Sequence, residues 1–66
     1  MHLDTNRLKR ELAVRYMNAT SLAKVTGISR QSIYRILRGA NMPKPENLRL
    51  ICEAIGCDPR DLIVED

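Results

Sequence analysis

A small residue at position 23, a glycine at 27 and isoleucines at 28, 33 and 36 constrain this chain more than any other feature in it. Ala23 leaves room for two helix backbones to approach closely. Gly27, four residues on, can take the left-handed backbone that ends a helix at no steric cost. Ile28, Ile33 and Ile36 then plug a following helix onto the preceding one. Each residue type answers a separate steric demand, and together they specify two short helices held crosswise around a tight turn.

The rest of the sequence reads the same way. Apolar spacings are three and four and no run of alternating β-branched residues occurs, so the prediction is an all-α domain of five helices over residues 1–66. Asp4 or Thr5 caps a first helix with Leu8, Leu12 and Ala13 inward and Tyr16 a candidate for the same stripe; it ends near Met17. Asn18 caps a second, Ala19 to Thr26, with Leu22 and Ala23 inward. Ser29 caps a third, Arg30 to Leu37, stopped by Gly39. Pro43 and Pro45 make "ANMPKP" a loop that excludes helix and central strand alike. A fourth helix, Glu46 to Ile55, presents Leu48, Ile51, Cys52 and Ile55 at i, i+3, i+4 and i+7 and ends at Gly56. Asp58 as cap, with Pro59 next, starts a short fifth helix that buries Leu62, with Ile63 a candidate beside it.

Charge narrows the function. The net charge is +3, but residues 1–45 set nine Lys and Arg against Asp4 and Glu11, giving +7, while residues 46–66 set Arg49 and Arg60 against six acids, giving −4. A two-sided molecule of this kind approaches a polyanion in one orientation; a mixed-charge solvated surface is the other reading of the same distribution. No stretch nears the ~20 apolar residues of a membrane span and no apolar leader follows the first charges, so a soluble, cytoplasmic protein without membrane contact is expected. Cys52 and Cys57 fall in stretches patterned as core, which argues for structural thiols over a disulfide, a redox sensor or a metal site. Two thiolates without further soft ligands nearby do not complete a zinc tetrahedron. No nucleophile has a histidine within reach, His2 being the single one in the chain. No glycine-rich phosphate loop is present either, so neither an enzyme nor any cofactor is expected.

On a helical wheel of the third helix, Ile33, Ile36 and Leu37 share one arc. Gln31, Arg35 and Arg38 lie opposite, with Arg30 and Tyr34 on one flank and Ser32 on the other. With the isoleucines fixed against the second helix, the polar arc faces outward. An arginine fork matches O6 and N7 of guanine and a glutamine matches N6 and N7 of adenine, each good bidentate pair discriminating by roughly 1–3 kcal/mol. The amino end of the second helix offers N–H groups and a positive dipole end to an anion. This is the chemistry of a helix-turn-helix that reads duplex DNA. Tyr34 fits a thymine or sugar contact and a partly buried edge position equally well; Met42 fits simple exposure better than an apolar contact across a dimer.

The run "SLAKVTGISRQSIYRILRG…KPENLRLICEAIGCDPRDLI" resembles the lambda-repressor-like (Cro/XRE-type) helix-turn-helix family over residues 18–63. The shared features are a Leu-Ala pair, a turn glycine, a third helix closing on glycine, a Pro-bearing loop, a helix end similar to "ALG" and a close similar to "DLL". The resemblance implies a five-helix domain that lays its third helix in the major groove and regulates transcription, usually as a homodimer on a near-palindromic operator. It places base reading on Ser29, Arg30, Gln31 and Arg35, with Ser32 and Tyr34 as further candidates. It places phosphate contact on Asn18, on the amide end at Ala19, on Arg38 and on Lys44. Arg7, Lys9, Arg10 and Arg15 count mainly as field and solubility. The sequence departs from the family in two places. Where some relatives carry glutamine at the first residue of both helices, this chain has Ala19 and Arg30, so the paired clamp on adenine is absent and Arg30 is expected on a guanine or a phosphate. Where many relatives have a glycine in the first loop, it has "RYMN".

The expected function is a sequence-specific, double-stranded DNA-binding transcriptional regulator, a small repressor of the phage or mobile-element type. One reading helix covers too few base pairs to single out a site among millions of competitors, so two copies are needed, paired in solution or only on DNA. The rival reading is a module that holds another protein, such as a toxin, through the acidic C-terminal portion; it weighs less because no disordered arm follows in the sequence. Single-strand or architectural binding weighs least, since such surfaces lean on aromatic platforms and this chain has two tyrosines and no other aromatic residue.

Overall fold

Four left-handed backbone positions set where the helices stop. In the computed structural model, which describes residues 1–65, positive φ occurs at Tyr16 (57°), Gly27 (77°), Gly39 (74°) and Gly56 (71°). These stand just beyond helices α1 (Thr5–Val14), α2 (Ala19–Thr26), α3 (Arg30–Leu37) and α4 (Pro45–Ile55). A single-turn helix, α5 (Pro59–Leu62), follows. At Gly39 the end of α3 comes close to the start of α1: a Cβ there would lie 3.6 Å from Thr5 Cγ2.

Side chains cap most of the helix starts. Asp4 Oδ1 accepts from Arg7 N at 3.0 Å, Ser29 Oγ from Ser32 N at 3.2 Å and Asp58 Oδ1 from Arg60 N at 2.9 Å. At α2 the arrangement is reciprocal: Asn18 Oδ1 accepts from Ser21 N at 2.9 Å while Ser21 Oγ accepts from Asn18 N at 2.8 Å. Each such cap stabilises its helix by ~1 kcal/mol. α4 has no side-chain cap; Lys44 stands at the cap position and Pro45 is the first helical residue. The expectation that Pro45 excludes helix is therefore corrected: at that position the missing N–H has no helical partner to lose and the fixed φ suits the helix.

The inner faces meet in one cluster that includes Leu8, Leu12, Leu22, Ile33, Ile36, Leu48, Ile51, Ile55 and Leu62. α2 packs against both α3 and α4, and α1 against α3 and α5. Cys52 is buried in this core, whereas Cys57 is only half-buried beside it. Burial of each such leucine or isoleucine contributes about 1.5–3 kcal/mol.

Two expectations for the first helix fail together. α1 stops at Val14 rather than near Met17, and Tyr16 lies outside the stripe, 98% exposed. Ala13 is exposed as well. The cause is the left-handed turn: Tyr16 N donates to Ala13 O and Met17 N to Leu12 O, at 3.1 and 2.9 Å. That reversal throws the tyrosine outward and brings Met17 against the core in its place. A further feature went unanticipated. Strands β1 (His2–Leu3) and β2 (Ile63–Val64) pair antiparallel, His2 opposite Val64 and Leu3 opposite Ile63, and Leu3 is buried. Ile63 is thus half-buried in a strand, not on the fifth helix. Asp4 N also donates to Leu62 O at 2.7 Å, so the segment before α1 is anchored on α5.

Candidate nucleic-acid interface

The turn between α2 and α3 is fixed by more than its glycine. Gly27 N donates to Ala23 O at 2.9 Å, which closes α2. Thr26, the one buried polar residue among the described residues, donates from Oγ1 to Leu22 O at 2.7 Å and accepts from Ile28 N at 3.2 Å. Its hydroxyl thereby satisfies the first N–H beyond the turn, a group that burial would otherwise leave without water. Ile28, Ile33 and Ile36 are all buried beneath. Sequence reasoning missed Thr26, although a hydroxyl three residues before a predicted N-cap and one before the turn glycine was the available signal.

On this frame α3 turns its polar side to solvent. Arg30, Gln31, Tyr34, Arg35 and Arg38 are exposed and Ser32 is half-buried. Ser29 is exposed, but its hydroxyl is committed: it accepts from Ser32 N and donates to Ser32 Oγ at 3.0 Å. Both serines therefore serve the helix start first. Of the positions expected at phosphates, Lys44 and Arg38 are exposed and Asn18 is exposed with its carbonyl oxygen held in the α2 cap. Ala19 is buried, so it can offer only its backbone N–H. That group and the N–H of Thr20 precede Ser21 N, which the Asn18 cap satisfies, and they carry the positive end of the α2 dipole.

A groove of about 390 Å³ runs between α3 and the loop before α4, and its lining includes Ser32, Arg35, Met42, Lys44 and Asn47. The structure thus brings Arg35 and Lys44, from separate predicted classes, to one concavity. The uncapped amino end of α4 opens at the same place. Asn41 and Asn47 line this groove as well and were not singled out from sequence; one polar residue before the two prolines and one in the first turn of the proline-started helix were the signal that could have found them.

Electrostatic commitment divides the cations into two sets. Arg7 Nε donates to Glu11 Oε2 and Arg15 Nη1 to Glu11 Oε1, both at 2.8 Å. Arg49 pairs with Glu53 and Arg60 with Asp58, each at 3.0 Å. The hydrogen bonds from Arg7 and then Arg15 hold the Glu11 carboxyl down to about 2. Burial, and then the nearby Glu11 carboxylate, pushes the Cys57 thiol up; burial does the same for Cys52. Raised thiols are poor nucleophiles. Among the described residues no side-chain hydrogen bond or ion pair engages Lys9, Arg10, Lys24, Arg30, Arg35, Arg38 or Lys44. Lys9 and Arg10 lie on α1, and the other five lie on α2, on α3 and on the loop that follows it.

The comparisons agree with this geometry. A family model described as helix-turn-helix, of the Cro/C1 type, matches residues 8–62. The chain belongs to the helix-turn-helix family. The match spans the two-helix frame, the groove and all of α4 and α5, and it makes this helix-turn-helix domain a DNA-binding regulator of transcription. No curated protein and no solved structure matches the chain. Among the described residues, no helix is long and apolar enough to cross a membrane.

Proposed function

We propose that residues 1–66 act as a single, non-enzymatic domain, a cytoplasmic repressor of transcription that lays α3 in the major groove as a homodimer on a near-palindromic operator. One observation carries this reading: Arg30, Gln31, Arg35 and Arg38 project from α3 uncommitted while the helix beneath them is fixed by buried isoleucines. In this reading Arg30 and Arg35 take guanine edges and Gln31 an adenine edge. Tyr34 touches a thymine methyl or a sugar at the flank. Ser29 and Ser32 contribute only the acceptor capacity left after capping, so their share of base reading is small.

Phosphates are held by the side-chain amide of Asn18, the backbone N–H at Ala19, Arg38 and Lys44, contacts that set register without reading sequence. Lys44 and Arg35 share the groove, so the backbone of one strand runs along its rim while Arg35 reaches inward to the bases. Two copies are needed because one α3 spans too few base pairs for selectivity. The test is selection of bound duplexes from a random pool with purified protein. The expected product is a short motif repeated in inverted orientation with centres about one helical turn, ~34 Å, apart. Recovery of no enriched motif, or of a single asymmetric one, would contradict the proposal.

A further inference from the structure

We propose that Tyr16 is an additional DNA contact, its phenolic O–H donating to a phosphate oxygen beside the amino end of α2; the inference rests on the DNA-binding orientation proposed above. Three of the four left-handed helix closures are glycines, and the fourth is Tyr16, at φ 57°. A side chain there crowds the neighbouring carbonyl, which is why glycine is the usual occupant. The backbone bonds that close α1 through Tyr16 N and Met17 N would form with glycine in the same place. Nothing inside the molecule offsets the crowding: the ring is 98% exposed, and among the described residues its hydroxyl has no hydrogen-bond partner.

A bulky residue held in glycine geometry at a cost to the fold, with no return from packing, has its use at the surface. Its location names the partner. Tyr16 precedes Asn18 by two residues, about 7 Å of chain at most, so the phenol projects from the corner that leads into the amide end of α2. Arg15 beside it is tied to Glu11, which leaves the tyrosine hydroxyl to reach out from that corner alongside the side-chain amide of Asn18. Tyrosine hydroxyls are regular donors to DNA phosphate oxygens, and a neutral donor adds a contact without releasing counterions.

The experiment measures thermal stability, DNA-free sedimentation and affinity for the selected duplex in the full chain carrying Tyr16→Gly or Tyr16→Phe. Tyr16→Gly should raise Tm by about 4 °C and weaken binding at least about tenfold. Tyr16→Phe should keep the wild-type Tm, lose a similar affinity and leave the salt dependence of binding unchanged. A lower Tm for Tyr16→Gly would mean the tyrosine serves the fold, and wild-type affinity in Tyr16→Phe would mean its hydroxyl meets nothing; either overturns the inference. So does a change confined to DNA-free sedimentation, which would assign the ring to contact with a second copy. Failure of the wild-type chain to select any duplex would instead overturn the DNA-binding orientation, a result distinguishable from wild-type binding that the tyrosine variants share.

Discussion

Arg7 on α1, Arg15 at the cap that closes it, and Arg30 and Arg35 on α3 are the same residue type within one small domain, yet their surroundings are opposite. The α1 pair closes on Glu11 from both sides at 2.8 Å, and the Glu11 side chain is only 17% exposed. The α3 pair has no acidic neighbour to close on: no aspartate or glutamate occurs between Glu11 and Glu46. Basic charge by itself therefore does not distinguish α1 from α3. Lys9 and Arg10 of α1 are unpaired as well, so what sets Arg30 and Arg35 apart is unpaired charge carried on a helix whose other side is fixed by buried isoleucines. A bare count of arginines gives the two helices equal weight; the pairing does not.

If both sets ride on one core, removing that core should erase the distinction. Ile33→Ala, at a fully buried position beneath the exposed polar side of α3, should cost about 2–5 kcal/mol. At about 4–8 °C per kcal/mol for a domain of this size, thermal unfolding followed by circular dichroism should show a fall of 10 °C or more. Arg35→Ala should separate the sets: a loss of roughly 1–3 kcal/mol for the preferred duplex over others, seen by fluorescence anisotropy, with Tm unchanged. Lys44→Ala should do less and do it uniformly, weakening every duplex and flattening the log–log salt dependence by about 0.9.

Glu11→Gln should act on the other set alone, lowering Tm at neutral pH while leaving DNA affinity as it is. The sign follows from Glu11 being held down to about 2 from an ordinary 4.5. Its stabilising effect is complete above about 4.5 and disappears as pH falls through about 2. Melting curves of wild type and Glu11→Gln should therefore differ at pH 7 and converge toward pH 2. An unchanged gap at the acid end would place the effect somewhere other than the ion pairs.

Much of this arrangement was legible in the sequence, and the failures have physical causes. Gly27, Gly39 and Gly56 advertise left-handed stops because glycine takes them without strain, so α2, α3 and the end of α4 read off directly. Tyr16 takes the same geometry without advertising it, and its apolar ring then passes for one more core residue on the α1 stripe. The β1–β2 pair is two residues on each side, too short for any periodicity to register. The solvent-facing polar side of α3 was legible through its buried complement, Ile33 and Ile36. The spacing of Arg7, Glu11 and Arg15 by fours carried the ion-pair signal plainly, but weighing those arginines mainly as field and solubility left it unused. Thr26 was missed because a hydroxyl satisfied within its own turn looks, in sequence, like any surface threonine.

A charge-matched pair of variants tests the whole account: Arg30→Ala with Arg35→Ala against Arg7→Ala with Arg15→Ala, each removing two positive charges, with affinities for the selected duplex and a scrambled one measured at a temperature where both remain folded. The account requires that the α3 variant bind both duplexes alike, its preference gone, while the α1 variant keeps the wild-type ratio between them. Equal loss of preference from the two variants, or a preference that survives only in the α3 variant, would contradict it.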